Sequence, residues 1–151
     1  MFPIGHVASA VLLAQLRGRR PSLATVVSSQ IPDLLDKPFA WVLRRSESSH
    51  LLAHSLIGWL LFRLLAASAL SRQRSAELSD AYLSHLLADE LHHGRVPWLY
   101  PVSTAKRRAR DRSGRVLRIG LILEVLSAGY LAVVWLLTDR DRGVALDNRS
   151  D

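Results

Sequence analysis

Apolar residues in this chain fall into long runs cut by short polar or proline-containing joints, and strict apolar–polar alternation is scarce. Runs of that length read as helices rather than strands. Five helical stretches are expected, at about 5–17, 22–31, 49–71, 76–93 and 115–138. The joints are RGRRP at 17–21, IPDLLDKP at 31–38, SRQRS at 71–75 and GRVPWLYP at 94–101. Glycine, proline and clustered charge end helices there. The segment LATVVSSQI carries some β-branched residues, but its length and context also suit a helix. The reading is an all-α fold: a compact helical bundle with membrane-inserted helices. Residues 1–140 form a single helical metal-site domain, and 141–151 a polar C-terminal tail.

Two segments are apolar enough to enter a bilayer. IGLILEVLSAGYLAVVWLLT (119–138) holds one charge, Glu124, and matches the ~20 residues that cross a hydrocarbon core. LLAHSLIGWLLFRLLAASAL (51–70) holds His54 and Arg63. The competing reading of 119–138 is the buried core helix of a soluble bundle. Isolated charges in apolar segments are costly, so Arg63 and Glu124 are expected to face each other or a polar cavity. The first apolar run lacks the basic stretch that precedes a secretory signal.

The chain has 151 residues, is 49% hydrophobic and 22% charged, and carries a net charge of +7. That basic excess suits anionic partners: membrane lipid head groups, phosphates or nucleic acid. Its densest run, KRRARDRSGR at 106–115, precedes the apolar segment and places that end in the cytoplasm. The run lacks interleaved aromatics, which makes nucleic acid the least favoured partner. No cysteine is present, so any metal must be held by nitrogen and oxygen.

Candidate ligands exist. In SHLLADELHHG (84–94), a helix puts His85, Asp89 and His92 on one face. His50 and His54 are four apart, and Asp33 and Asp36 three apart. Two ligands one turn apart can reach one ion, and Zn²⁺ takes imidazole and carboxylate alike. His6, Asp33, Asp36, His50, His54, His85 and Asp89 could together supply one zinc-type divalent ion, or two. A paired site activates water and clamps the oxygens of a phosphoryl or ester transition state. Asp36 and Glu90 are the candidate proton acceptors. The HExxH arrangement is absent, since Glu90 is not flanked by the required histidines. Burying His54 or Asp89 among apolar residues is costly unless each is paired or metal-bound.

The ordered set Gly5-His6, PDLLD, His54-Ser55, SHLLAD and GRVPWLYP resembles the YdjM-like family of inner-membrane, metal-dependent hydrolases. There a Pro-Asp-x-x-Asp, a Thr-His-Ser and a Ser-His-x-x-x-Asp block recur in that order. The resemblance covers residues 5–102. It implies an inner-membrane location and a ligand set of His6, Asp33, Asp36, His54, His85 and Asp89. Ala53 stands where the family has threonine, and the spacing of His50 is not the family's. A membrane-bound hydrolase acting on a phosphoester or ester, in a lipid, is the first expectation. A non-enzymatic adaptor or regulator with a structural metal is the alternative.

Overall fold

The computed structural model describes residues 3–43, 51–93, 96–102 and 114–147. Among these there are helices and no strand. Helix α1 spans Pro3–Leu16, α2 Leu23–Ser28, α3 Ile31–Leu43, α4 Leu56–Ala69, α5 Arg72–His93 and α6 Gly114–Asp147, with a single 3₁₀ turn at Leu52–His54. His50 and most of the basic run at 106–115 lie outside the described residues.

Helix α5 is the centre of the bundle. It packs against α1, α2, α3 and α4. Its sequence permits that close approach because its inward positions are small: Ser75, Ser79, Ala81, Ser84 and Ala88 are all buried. A buried hydroxyl needs a partner, and these find one within the helix. Ser79 donates to the Ser75 carbonyl at 2.7 Å and Ser84 to the Ala81 carbonyl at 2.8 Å. The large side chains of the core are Tyr82 and Leu86, with Val96. Ile31, Trp59, Phe62 and Trp98 close around them. Burying Leu86 alone is worth about 2 kcal/mol, so truncating it to alanine would cost about 2–5 kcal/mol.

Several expected boundaries moved. The joint at 31–38 is the first half of α3. Pro32 sits in its first turn, where the missing N–H costs nothing, and Pro38 lies inside the helix without ending it. Over the described part of the helix expected at 49–71, α4 starts only at Leu56, after the 3₁₀ turn Leu52–His54. Ser55 then restarts the chain as the N-cap of α4, accepting from the Gly58 N–H at 3.1 Å. Helix α6 continues through residues 141–147, the first part of the stretch read as a tail.

Among the described residues, helix α6 carries the one span long and apolar enough to cross a membrane, Gly120–Leu137, and only 6% of that window is buried. A core helix of a soluble bundle would be covered, so that competing reading fails. Its charge is not paired with Arg63. Glu124 reaches the start of α1 and accepts from the N–H groups of Ile4 at 2.9 Å and Gly5 at 3.2 Å. Those are donors that a helix leaves without internal partners. Arg63 lies over the Trp59 ring, 5.4 Å from its centroid.

Candidate metal centre

Four elements bring one side chain or two each to a common point. Helix α1 supplies His6, α3 supplies Asp33 and Asp36, the 3₁₀ turn supplies His54, and α5 supplies His85 and Asp89. The three histidines are almost completely buried, and so are Asp36 and Asp89. Asp33 keeps 12% of its side chain exposed and marks the open edge.

The centre is defined by atoms that face one another. His54 Nε2 and His85 Nε2 are 3.3 Å apart. Asp33 Oδ1 lies 3.4 Å from the first and 3.9 Å from the second. Asp89 Oδ2 lies 3.6 Å from the first and 3.5 Å from the second. Four donors around a tetrahedral ion with 2.0–2.1 Å bonds stand about 3.3–3.4 Å apart. Each of the two histidine nitrogens stands 3.3–3.9 Å from the other and from both carboxylate oxygens. His6 completes the ring, with Nε2 3.3 Å from Asp89 Oδ1 and its plane stacked on His85 at 3.7 Å. Neither buried nitrogen of His6 has a hydrogen-bonding partner of good geometry. His6, His85 and Asp89 form one group of convergent ligand atoms, and Asp33, His54 and His85 a second.

The far nitrogens fix which atom of each ring faces inward. His85 Nδ1 lies 2.6 Å from the Ser29 carbonyl oxygen, which can only accept. His54 Nδ1 lies 2.8 Å from Asp36 Oδ2. Both Nδ1 atoms therefore carry a proton, which leaves Nε2 of each ring as the atom that faces inward.

Asp36 stands behind His54 rather than among the inward-facing atoms. Its Oδ2 also accepts from the N–H groups of Leu51 and His54, and its Oδ1 from Ala53 N–H. This carboxylate gathers the backbone of 51–54 into the turn, which explains why the expected helix breaks there. Tyr82 holds the same turn from α5 by donating to the Ala53 carbonyl at 2.5 Å. Glu90 accepts from the Val96 N–H at 3.2 Å. The structure thus gives both expected proton acceptors other partners. His92 packs on α6, where a Cβ added at Gly120 would stand 2.7 Å from its Nε2.

The site's charges favour a cation. Burial pulls the His54 pKa down, but hydrogen bonds to Asp33 and Asp36 and the Asp89 charge raise it on balance. Burial pushes Asp33 up, and His54 and Lys37 more than reverse this, leaving its carboxyl well below the usual range. For His6 burial wins over Asp89, and its pKa falls.

Three contributors were not read from the sequence. Ser29 acts through its carbonyl, which no side-chain pattern reveals. Tyr82 acts on a backbone oxygen. Lys37, whose Nζ lies 2.5 Å from Asp33 Oδ2, did leave a signal, the i, i+4 spacing to Asp33.

A family model described as YdjM inner membrane protein matches residues 1–146. No curated protein and no solved structure matches the chain.

Proposed function

This chain belongs to the YdjM inner membrane protein family, and we propose that in that membrane it is a metal-dependent hydrolase of a phosphoester or ester. One observation carries the reading. His54 Nε2 and His85 Nε2 stand 3.3 Å apart, a carboxylate oxygen of Asp33 and one of Asp89 lie within 3.9 Å of both, and both outer ring nitrogens are already committed. A zinc-type divalent ion supplies Lewis acidity and an acidified water to such a substrate. His54, His85, Asp33 and Asp89 would hold it, with His6 reaching a second ion that shares Asp89. Asp36 and the Ser29 carbonyl keep the two rings in the ligating tautomer. The Asp33 edge is where substrate reaches the centre, since every other ligand is sealed by packing.

Five candidate donors and one exposed edge favour a catalytic site over a closed structural one. The test is element analysis of the purified full chain in detergent, alongside hydrolysis of bis(p-nitrophenyl) phosphate and p-nitrophenyl butyrate. We expect bound transition metal and metal-dependent turnover. Protein that is folded and free of metal after supplementation would sink the reading. Bound metal with no turnover, and unfolding on its removal, would convert it to the adaptor with a structural metal.

A further inference from the structure

We infer that the substrate is a phosphate-bearing lipid and that Lys37 is the residue that selects it. This rests on the metal-centre reading above and names the substrate class of that same site. Asp33 is shared between two positive groups. Its Oδ1 faces His54 Nε2 at 3.4 Å, and its Oδ2 lies 2.5 Å from Lys37 Nζ. The ammonium is thus one carboxylate away from the centre, on the exposed side. An ammonium has three N–H donors. One is taken by Asp33, and the side chain is 53% exposed, so the others face outward. A neutral carboxylic ester offers that charge nothing to neutralise. A phosphoester presents two or more anionic oxygens, one for the metal centre and one for Nζ.

Exposed leucines lie on α3, in the His54 turn and at the start of α4. Leu34 lies three residues before it on α3, on the same helical face, and is 62% exposed. Leu52 and Leu56 are exposed on the segment that Asp36 ties against α3. In an inner-membrane protein such leucines find their apolar surroundings in acyl chains. The mouth therefore pairs a cation with a greasy rim, which fits an amphiphile with an anionic head and not a freely soluble phosphate ester.

The experiment is a binding titration of metal-loaded full chain in detergent, read by ³¹P line broadening. The probes are dihexanoyl phosphatidate and inorganic phosphate, with wild type, Lys37→Ala and Lys37→Arg. Bound metal is measured on every sample. We expect phosphatidate to bind wild type at least tenfold more tightly than inorganic phosphate. Lys37→Ala should lose about tenfold or more in phosphatidate affinity, the scale of one charge-assisted hydrogen bond, with metal content kept. Lys37→Arg should recover most of it. Unchanged phosphatidate binding in metal-loaded Lys37→Ala overturns the role of Lys37 while leaving the hydrolase reading intact. Equal binding of inorganic phosphate overturns the lipid and points to a soluble phosphoester. Wild type that takes up no metal fails the underlying reading, and this one falls with it.

Discussion

Asp36 holds His54 twice, through the ring Nδ1 at 2.8 Å and through the residue's own backbone N–H at 3.0 Å. One carboxylate thus sets both where the ligand stands and which ring nitrogen it offers. Asp36→Ala would strand the N–H groups of Leu51, Ala53 and His54, at about 1–3 kcal/mol for each buried donor left unpaired. Asp36→Asn keeps the shape but puts an amide donor against one of those donors. We expect Asp36→Asn to remain folded and to bind metal about 10–100-fold more weakly, the usual cost of losing a ligand's orienting partner. Competition with a chelating dye measures it. An unchanged affinity would mean that Asp36 serves the turn alone.

Gly58 protects the same turn from the other side. A Cβ there would stand 2.2 Å from the Leu52 carbonyl oxygen and 3.0 Å from Ala53 Cα. Both neighbours are backbone and cannot swing aside, so the turn carrying His54 must move. Gly58→Ala should destabilise the protein by about 1–3 kcal/mol and lower bound metal in the fraction that still folds. Thermal unfolding and element analysis together check it. Wild-type values in both would show that the turn yields freely.

Spacing made much of this site legible. His85 and Asp89 are one helical turn apart on a single element, and that relation survives any tertiary arrangement. Asp33 and Asp36 share α3 in the same way, yet spacing could not say which one faces the centre and which stands behind His54. That depends on where residues 51–54 pack. The break in the helix expected over 49–71 was hidden for a related reason, because its cause is a carboxylate some fifteen residues earlier. Local preference favoured continuous helix, and tertiary hydrogen bonds prevailed. Pro38 misled in the other direction: it looks like a terminator, but α3 proceeds to Leu43. The Arg63–Glu124 pairing failed because a helix N-terminus, invisible as a charge in sequence, met the cost of Glu124 instead.

That contact between Glu124 and α1 ties the apolar span to the candidate metal centre, since His6 follows Gly5 directly. Glu124→Ala should lose the capping of two N–H groups, about 0.5–2 kcal/mol. It should also free the first turn of α1, weakening the part of metal binding that His6 supplies. Glu124→Gln keeps an acceptor and loses the favourable charge, about 0.3–1 kcal/mol, so it should fall between. Thermal stability and metal stoichiometry across wild type, Gln and Ala are the measurement. A His6→Ala background in which Glu124→Ala costs no further metal would support the route through His6. An additional loss there would show that Glu124 acts elsewhere.

Protons and metal should compete at His54, with opposite effects of pH on the two forms of the protein. With its Nδ1 proton bound to Asp36, His54 must be neutral to offer Nε2 to an ion. Its pKa is raised above the ordinary histidine value of about 6.5 because Asp33, Asp36 and Asp89 outweigh burial. A raised folded-state pKa contributes stability that is present in full below the unfolded value and is lost as pH rises through the folded one. Metal-free protein should therefore lose stability from about pH 6.5 upward. Metal-loaded protein should gain stability as pH rises toward about 6.5 and then level off, because the bound ion excludes the Nε2 proton and only the unfolded chain still takes one up. His6 shifts the other way, lowered chiefly by burial, and should compete only in more acidic solution. Thermal unfolding from about pH 5.5 to 8.5 should show stability falling above about pH 6.5 without metal, and rising to a plateau with it. Titration calorimetry in buffers of different ionisation enthalpy should show proton release near neutrality that fades at higher pH. Parallel slopes, or no proton release at any pH, would mean that His54 Nε2 does not hold the ion.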